Sequence, residues 1–268
     1  RVFLCPLGTV KPLTATMSHC DPFSSEDHVA RVISVISHKG GTGKTTTAIH
    51  IAEILTARGS TVLVIDLDAS CNLSSFYQAA GKKTIIDFLE GNKKAVVPVR
   101  SGLSAVTGSK KISEFDAISY TATDIYSLIK NAISGLPFDY IIIDTPHAIG
   151  RIIKNTIIAS DTVIIPVMPA GWSADGSVDV LDEFAEIRAS SKKKLIEGCT
   201  PALLPTAISK WSRHDRGLVP ALEMAHPGVT ILPKIPFNRD IMRDQSERVV
   251  RKTNIYRAYE EVTEWLLK

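Results

Sequence analysis

Cysteine is scarce in this chain: four among 268 residues (Cys5, Cys20, Cys71 and Cys199), none within CxxC distance of another. That spacing excludes a disulfide framework, a zinc ribbon and a four-thiolate cluster supplied by one chain, and it suits a reducing compartment. Apolar runs are short as well. None approaches the roughly 20 residues needed to cross a bilayer. The opening RVFLCPLGTVKPLTAT has too brief and too interrupted an apolar core for a secretory signal. Neither sign of charge dominates: 31 Lys and Arg against 28 Asp and Glu give a net +3, which permits an anionic partner without requiring one. Internal repeats and low-complexity linkers are missing too. With 44% hydrophobic residues, the chain has enough apolar content for a real core.

Short β-branched segments recur instead: RVISVIS (31–37), TVLVIDLD (61–68), LSAVTGS (103–109), YIIIDTP (140–146), TVIIPVMP (162–169), ALLPTAIS (202–209) and TILPKIP (230–236). Most are apolar on both faces, as strands of a parallel sheet covered by helices on each side are. Amphipathic stretches at 44–58, 122–134, 173–190 and 239–249 are spaced as crossover helices between them. The expected fold class is α/β, a doubly wound, mostly parallel sheet flanked by helices. One domain is expected over residues 29–268, preceded by an N-terminal extension, 1–28, to which no function is assigned.

SHKGGTGKTTTAIHIA (37–52) follows the first of these strands and opens a helical pattern, the context in which a glycine-rich loop holds phosphates. Gly40, Gly41 and Gly43 let the backbone turn tightly and aim N–H groups inward. A helix starting near Lys44 would add its positive dipole end. Lys44 would then sit against the β- and γ-phosphates, and the Thr45 hydroxyl would ligate Mg²⁺. YIIIDTP places Asp144 at the carboxyl edge of a strand, ready to support the metal. In VLVIDLDASCN, Asp66 and Asp68 flank Leu67 and point to the same side. One could support the metal shell while the other orients an attacking water. The loop carries a second lysine, Lys39, for which a single mononucleotide has no use.

KGGTGKTT resembles the deviant Walker A motif of the ParA/MinD family of P-loop ATPases. VLVIDLDASCN resembles that family's DxDPQxN segment, YIIIDTPHAIG its Walker B segment, and ILPKIPFNRDIMRDQSERVV its late IPxN region. Four motifs in the family's order cover about residues 30–268, with small Soj-like partition ATPases as the nearest type. The resemblance implies a P-loop fold that hydrolyses ATP to ADP with Mg²⁺. It implies that Lys39 crosses a two-fold interface to the partner subunit's nucleotide, that Asp68 orients the hydrolytic water, and that Asp144 serves Mg²⁺ through a water. Gly40, Gly41, Thr42, Gly43 and Thr46 would hold the phosphates, with Pro236 and Asn238 near the adenine. The sequence departs from the family at DASCN, at His147 and Ala148, and over its first 30 or so residues. His147 is expected to be structural, and Cys71 to be a small buried residue.

Within that family the resemblance implies a partition ATPase: a slow, ATP-dependent homodimer, cytoplasmic and nucleoid-associated, that binds non-specific DNA and a ParB-like centromere-binding protein. Arg248, Arg251 and Lys252 would share one face of a late helix as the DNA surface, phosphate contacts that confer affinity without sequence readout. A MinD-like membrane role fits poorly. In YRAYEEVTEWLLK the residues Tyr256, Tyr259, Val262, Trp265 and Leu266 would pack on the body, and Glu260, Glu261 and Glu264 would be repelled by anionic lipid. Positioning of a protein cargo is the alternative, followed by a metabolic P-loop enzyme or a metal carrier.

Overall fold

A computed structural model describes residues 29–117, 126–147, 150–169, 175–190, 193–239 and 253–268. The strands are β1 (Arg31–Val35), β2 (Val62–Asp66), β3 (Val96–Arg100), β4 (Leu103–Val106), β5 (Tyr140–Asp144), β6 (Thr162–Val167), β7 (Thr200–Pro205) and β8 (Thr230–Ile231). They form one eight-stranded sheet in the order β3-β4-β2-β5-β1-β6-β7-β8. Every pairing is parallel except β3 with β4. All seven sequence-derived strands are present, most of them trimmed at the carboxyl end, where the chain leaves the sheet to build loops.

The helices are α1 (Lys44–Ala57), α2 (Asn72–Phe76), α3 (Ile85–Leu89), α4 (Ile112–Ala117), α5 (Leu128–Ile133), α6 (Arg151–Ala159), α7 (Asp175–Ala189), α8 (Arg213–Arg216), α9 (Leu218–Ala225) and α10 (Asn254–Leu266). Alternation within each strand sorts them into two layers, because successive side chains point to opposite faces. Val32, Leu63, Ile65, Ile141 and Ile143 face a core built with α3, α5, α6, α7 and α9. Ile33, Val35, Val62, Val64 and Ile142 face the other core, built with α1, α2 and α10. Each such buried side chain contributes about 1.5–3 kcal/mol.

Helix α1 is covered on all sides, which is why it is not amphipathic. Its buried Glu53 is met by Arg100 from β3, and its Thr47 hydroxyl lies 2.8 Å from Tyr259 Oη of α10. The His50 ring stacks on Tyr259 with centroids 4.4 Å apart. Helix α10, capped by Thr253, buries Ile255, Tyr259, Val262, Thr263 and Leu266. Tyr256 and Trp265 are half-buried at its flanks, and Glu261 and Glu264 are exposed. The helix expected at 239–249 and the start of that expected at 122–134 lie outside the described residues. So do the extension 1–28 and the three basic residues Arg248, Arg251 and Lys252.

Candidate functional site

Sheet register sets the site. Val35 pairs with Asp144 across β1 and β5, and Asp66 pairs with Asp144 across β2 and β5. The loop leaving β1 therefore starts level with both carboxylates, at the carboxyl ends of the strands, where the connections diverge to either side.

Gly41 and Gly43 have φ of 75° and 94°, left-handed conformations that glycine adopts freely. Gly43 is the N-cap of α1, and its carbonyl accepts the Thr47 N–H at 2.8 Å. A Cβ built on Gly40, Gly41 or Gly43 would meet nothing within 4 Å, so the loop borders open space. Lys44 is buried, with its ammonium donating to the Lys39 carbonyl at 3.4 Å. Burial pushes its pKa down, against the pull of Asp144 and Asp68. An anion arriving at the loop would relieve that penalty.

The Thr45 hydroxyl donates to Asp144 Oδ2 at 2.6 Å. Asp144 Oδ1 is buried with no hydrogen-bond partner. Burial pushes this carboxyl up to about 7, with Thr45 opposing and Asp66 reinforcing the shift. A hydroxyl beside a buried carboxylate with an unmet oxygen is a donor set that fits Mg²⁺ or its water shell. Raised above its unfolded value, Asp144 costs stability that is fully felt above about pH 7 and fades as pH falls toward 4. Asp144→Asn is therefore expected to raise the Tm of the metal-free protein at about pH 8, with the gain shrinking on acidification. The same variant should lose the extra stabilisation that Mg²⁺ gives the nucleotide complex, as a thermal-shift titration would read.

Asp68 Oδ1 accepts the N–H and hydroxyl of Ser70, each at 2.8 Å, and Asp68 shares the cleft wall with Ser70, Asn72 and His147. Asp66 is bonded differently. Its Oδ2 accepts the Ser74 N–H at 2.9 Å and hydroxyl at 2.6 Å, and its Oδ1 accepts the Asp68 N–H at 3.1 Å. Ser74 Oγ accepts in turn from the Gly108 N–H at 2.8 Å. Asp66 thus fastens α2 and the backbone of Asp68 to the sheet edge. Gly108 packs so closely that a Cβ there would come within 3.0 Å of Asp66 and of Cys71. Cys71, expected to be buried, is half-buried, with φ of 54° at the start of α2.

The opposite wall is a turn at 236–238. The Ile235 N–H bonds to the Pro205 carbonyl at 2.7 Å, and the Phe237 N–H to the Ile208 carbonyl at 3.0 Å. Asn238 donates to Asn254 at 3.1 Å. Thr206 ties this wall to the loop through the Thr42 carbonyl at 2.9 Å. Between the walls lies a cleft of about 400 Å³, lined by Gly40–Thr46, Asp68, Pro236 and Asn238. Thr206 and Ala207 also line it and belong to none of the sequence motifs, and Phe237 lines it within the expected 236–238 turn. Thr206 and Ala207 follow the end of β7, so the strand-end rule could have flagged them, and Phe237 sits inside the IPFN turn. Lys39 is exposed at the loop's outer edge and is not among the residues lining its own cleft.

A family profile described as an AAA domain matches residues 30–196. The chromosome partitioning protein ParA of Caulobacter vibrioides is 28% identical over 177 residues, covering 62% of this chain and 66% of that protein. The chain belongs to the ParA/MinD-type family of P-loop ATPases. Among solved structures, apo McdA of Cyanothece superposes with a TM-score of 0.80 at 22% identity, covering 89% of this chain and all of that one. A plasmid partition protein of Borrelia burgdorferi, bound to AMPPNP, matches at a TM-score of 0.72 and 25% identity over 89% of this chain and 98% of that one. The ParA/MinD-type fold thus accounts for the sheet, and its relatives include partition ATPases.

Proposed function

We propose that the protein is a partition-type ATPase that dimerises on binding ATP and holds non-specific DNA in that state. The observation that carries this reading is the division between the two lysines. Lys44 lines the cleft with Asp68 and with Thr45, whose hydroxyl bonds to the buried Asp144, whereas Lys39 stands outside it. Lys44 and the loop N–H groups would hold the phosphates of the protomer's own ATP. Thr45 and Asp144 would hold Mg²⁺, which when bound spreads the charge of the β- and γ-phosphates. Asp68, its backbone fixed through Asp66, would accept a hydrogen bond from the attacking water and aim it in line. Pro236 and Asn238 would border the base. Lys39 would reach the partner's γ-phosphate, stabilising charge that develops on the transferred group only after the dimer has closed.

The similarity to ParA supports the DNA and adaptor parts of the proposal, with Arg248, Arg251 and Lys252 as the phosphate-contacting set and a centromere-binding protein as the stimulator. A cytoplasmic, nucleoid-associated location follows from that role. The C-terminal helix favours this reading over a membrane one, since its apolar face already packs on α1. Binding of duplex DNA of arbitrary sequence should appear with ATP and be weak with ADP or without nucleotide. The affinity should fall steeply with salt, roughly tenfold or more between low and moderate ionic strength. Alanine at Arg248, Arg251 and Lys252 should flatten that salt slope. Equal binding in all nucleotide states would separate DNA from the switch, and no binding would leave a protein cargo as the reading.

A further inference from the structure

A nucleotide in the cleft would span two walls, the loop with α1 on one side and the 236–238 turn on the other. Thr206 ties those walls at the loop, through the Thr42 carbonyl. Helix α10 adds a second tie. Its first residue, Asn254, accepts from Asn238 of the turn at 3.1 Å. Further along, the Tyr259 hydroxyl lies 2.8 Å from Thr47 Oγ1 of α1. The two attachment points are about 7.5 Å apart along the helix axis. Ile255 and Tyr259, one turn apart on one face of α10, line the cleft between the walls.

Tyr259 reaches the start of α1 by two routes. Its hydroxyl meets Thr47, and its ring stacks on His50, with centroids 4.4 Å apart and 23° between the planes. His50 Nδ1 donates in turn to the Thr46 carbonyl at 2.7 Å, and Thr46 is itself a cleft residue. Burial pushes the imidazole down to about 4, against the Thr46 carbonyl and Glu53, so the stack is neutral at physiological pH. Thr47, His50 and Tyr259 are all buried. A tyrosine that only filled space there could be phenylalanine; burying its hydroxyl is costly unless a partner such as Thr47 offsets the loss of water.

We propose that Tyr259 is a positioning residue for the bound nucleotide: through Thr47 and His50 it holds α10 as a strut that sets the separation of the phosphate-binding and base-binding walls. This rests on the nucleotide-binding reading above. A ligand that spans both walls binds more tightly when their separation is fixed in advance, because less ordering remains to be done on binding. A ligand held by the loop alone draws no such benefit. The Tyr259 hydroxyl should therefore matter for ADP and be nearly indifferent for pyrophosphate.

The experiment is calorimetry of Mg-ADP and of Mg-pyrophosphate with wild type, Tyr259→Phe, Thr47→Val and the double variant. Either single change should weaken ADP about threefold to tenfold, the range for one buried hydrogen bond, and pyrophosphate by less than about twofold. The double variant should be no weaker than the worse single, since both changes remove the same bond. Val262→Ala is the control for a loosened α10, being buried on the same helix without lining the cleft. It should lower the Tm and leave the ratio of ADP to pyrophosphate affinity unchanged. Equal losses for both ligands, or wild-type ADP affinity in both single variants, would overturn the proposal and leave the nucleotide reading standing. A shift of the ratio in Val262→Ala as large as in Tyr259→Phe would overturn it too, reducing Tyr259 to packing. Failure of wild type to bind ADP would overturn both. Should Tyr259→Phe fail to fold, Thr47→Val reads the same bond from the other helix, and an unchanged ratio there sinks the idea.

Discussion

Lys39→Ala is expected to bind nucleotide nearly as well as wild type and to remain a monomer when ATP is added. The side chain is exposed and does not line its own cleft, so its removal leaves Lys44, the loop N–H groups and the Thr45–Asp144 pair in place. In the dimer the same ammonium would meet a partner's phosphate away from water. Losing one such buried charge contact costs about 2–5 kcal/mol. Two-fold symmetry removes two contacts at once, a combined loss of about 4–10 kcal/mol, or three or more orders of magnitude in the dimer constant. Sedimentation velocity with ATP checks dimer formation, and a fluorescent-ADP titration checks the monomer site. A variant that dimerises fully on ATP would place Lys39 elsewhere in the mechanism. Lys39→Arg is a finer probe, since it keeps the charge while changing a compact ammonium into a planar fork; it should recover dimerisation only in part.

The parts of the fold that come from pattern were legible beforehand, and those that come from pairing were not. Segments apolar on both faces announced the parallel strands, because each face of the sheet is covered. β3 escaped notice because Pro98 and the lysines before it read as loop; it is an antiparallel edge strand, where proline is tolerated. α6 escaped because RIIKNTIIA is rich in β-branched residues and fits strand or helix equally well. At the site, loop chemistry gave Lys44 and Thr45, and a strand end gave Asp144. The spacing of Asp66 and Asp68 could not assign their roles. That division depends on Ser74, eight residues downstream, and on Gly108, which reaches Ser74 only because β4 pairs with β2.

The different bonding of the two aspartates makes them separable by experiment. Asp68→Ala removes the carboxylate that would orient the water, and leaves Asp66 with both hydrogen bonds from Ser74. ATP binding and dimerisation should survive, while phosphate release slows by about 10²–10⁴-fold, the usual contribution of a positioned base. The ATP-bound dimer would then persist and, on the proposed reading, stay on DNA long after wild type has let go. Asp66→Asn should behave otherwise. It weakens two hydrogen bonds from Ser74 and one from the Asp68 backbone, each charge-assisted and worth about 1.5–3 kcal/mol. Its signature would be a lower Tm and faster proteolysis near α2, with turnover reduced only as far as Asp68 is displaced. Phosphate release measured beside thermal unfolding tells the two apart. If Asp68→Ala turned over normally, the water would have to be held by another cleft residue, and Asn72 and His147 on the same wall would be the next positions to change.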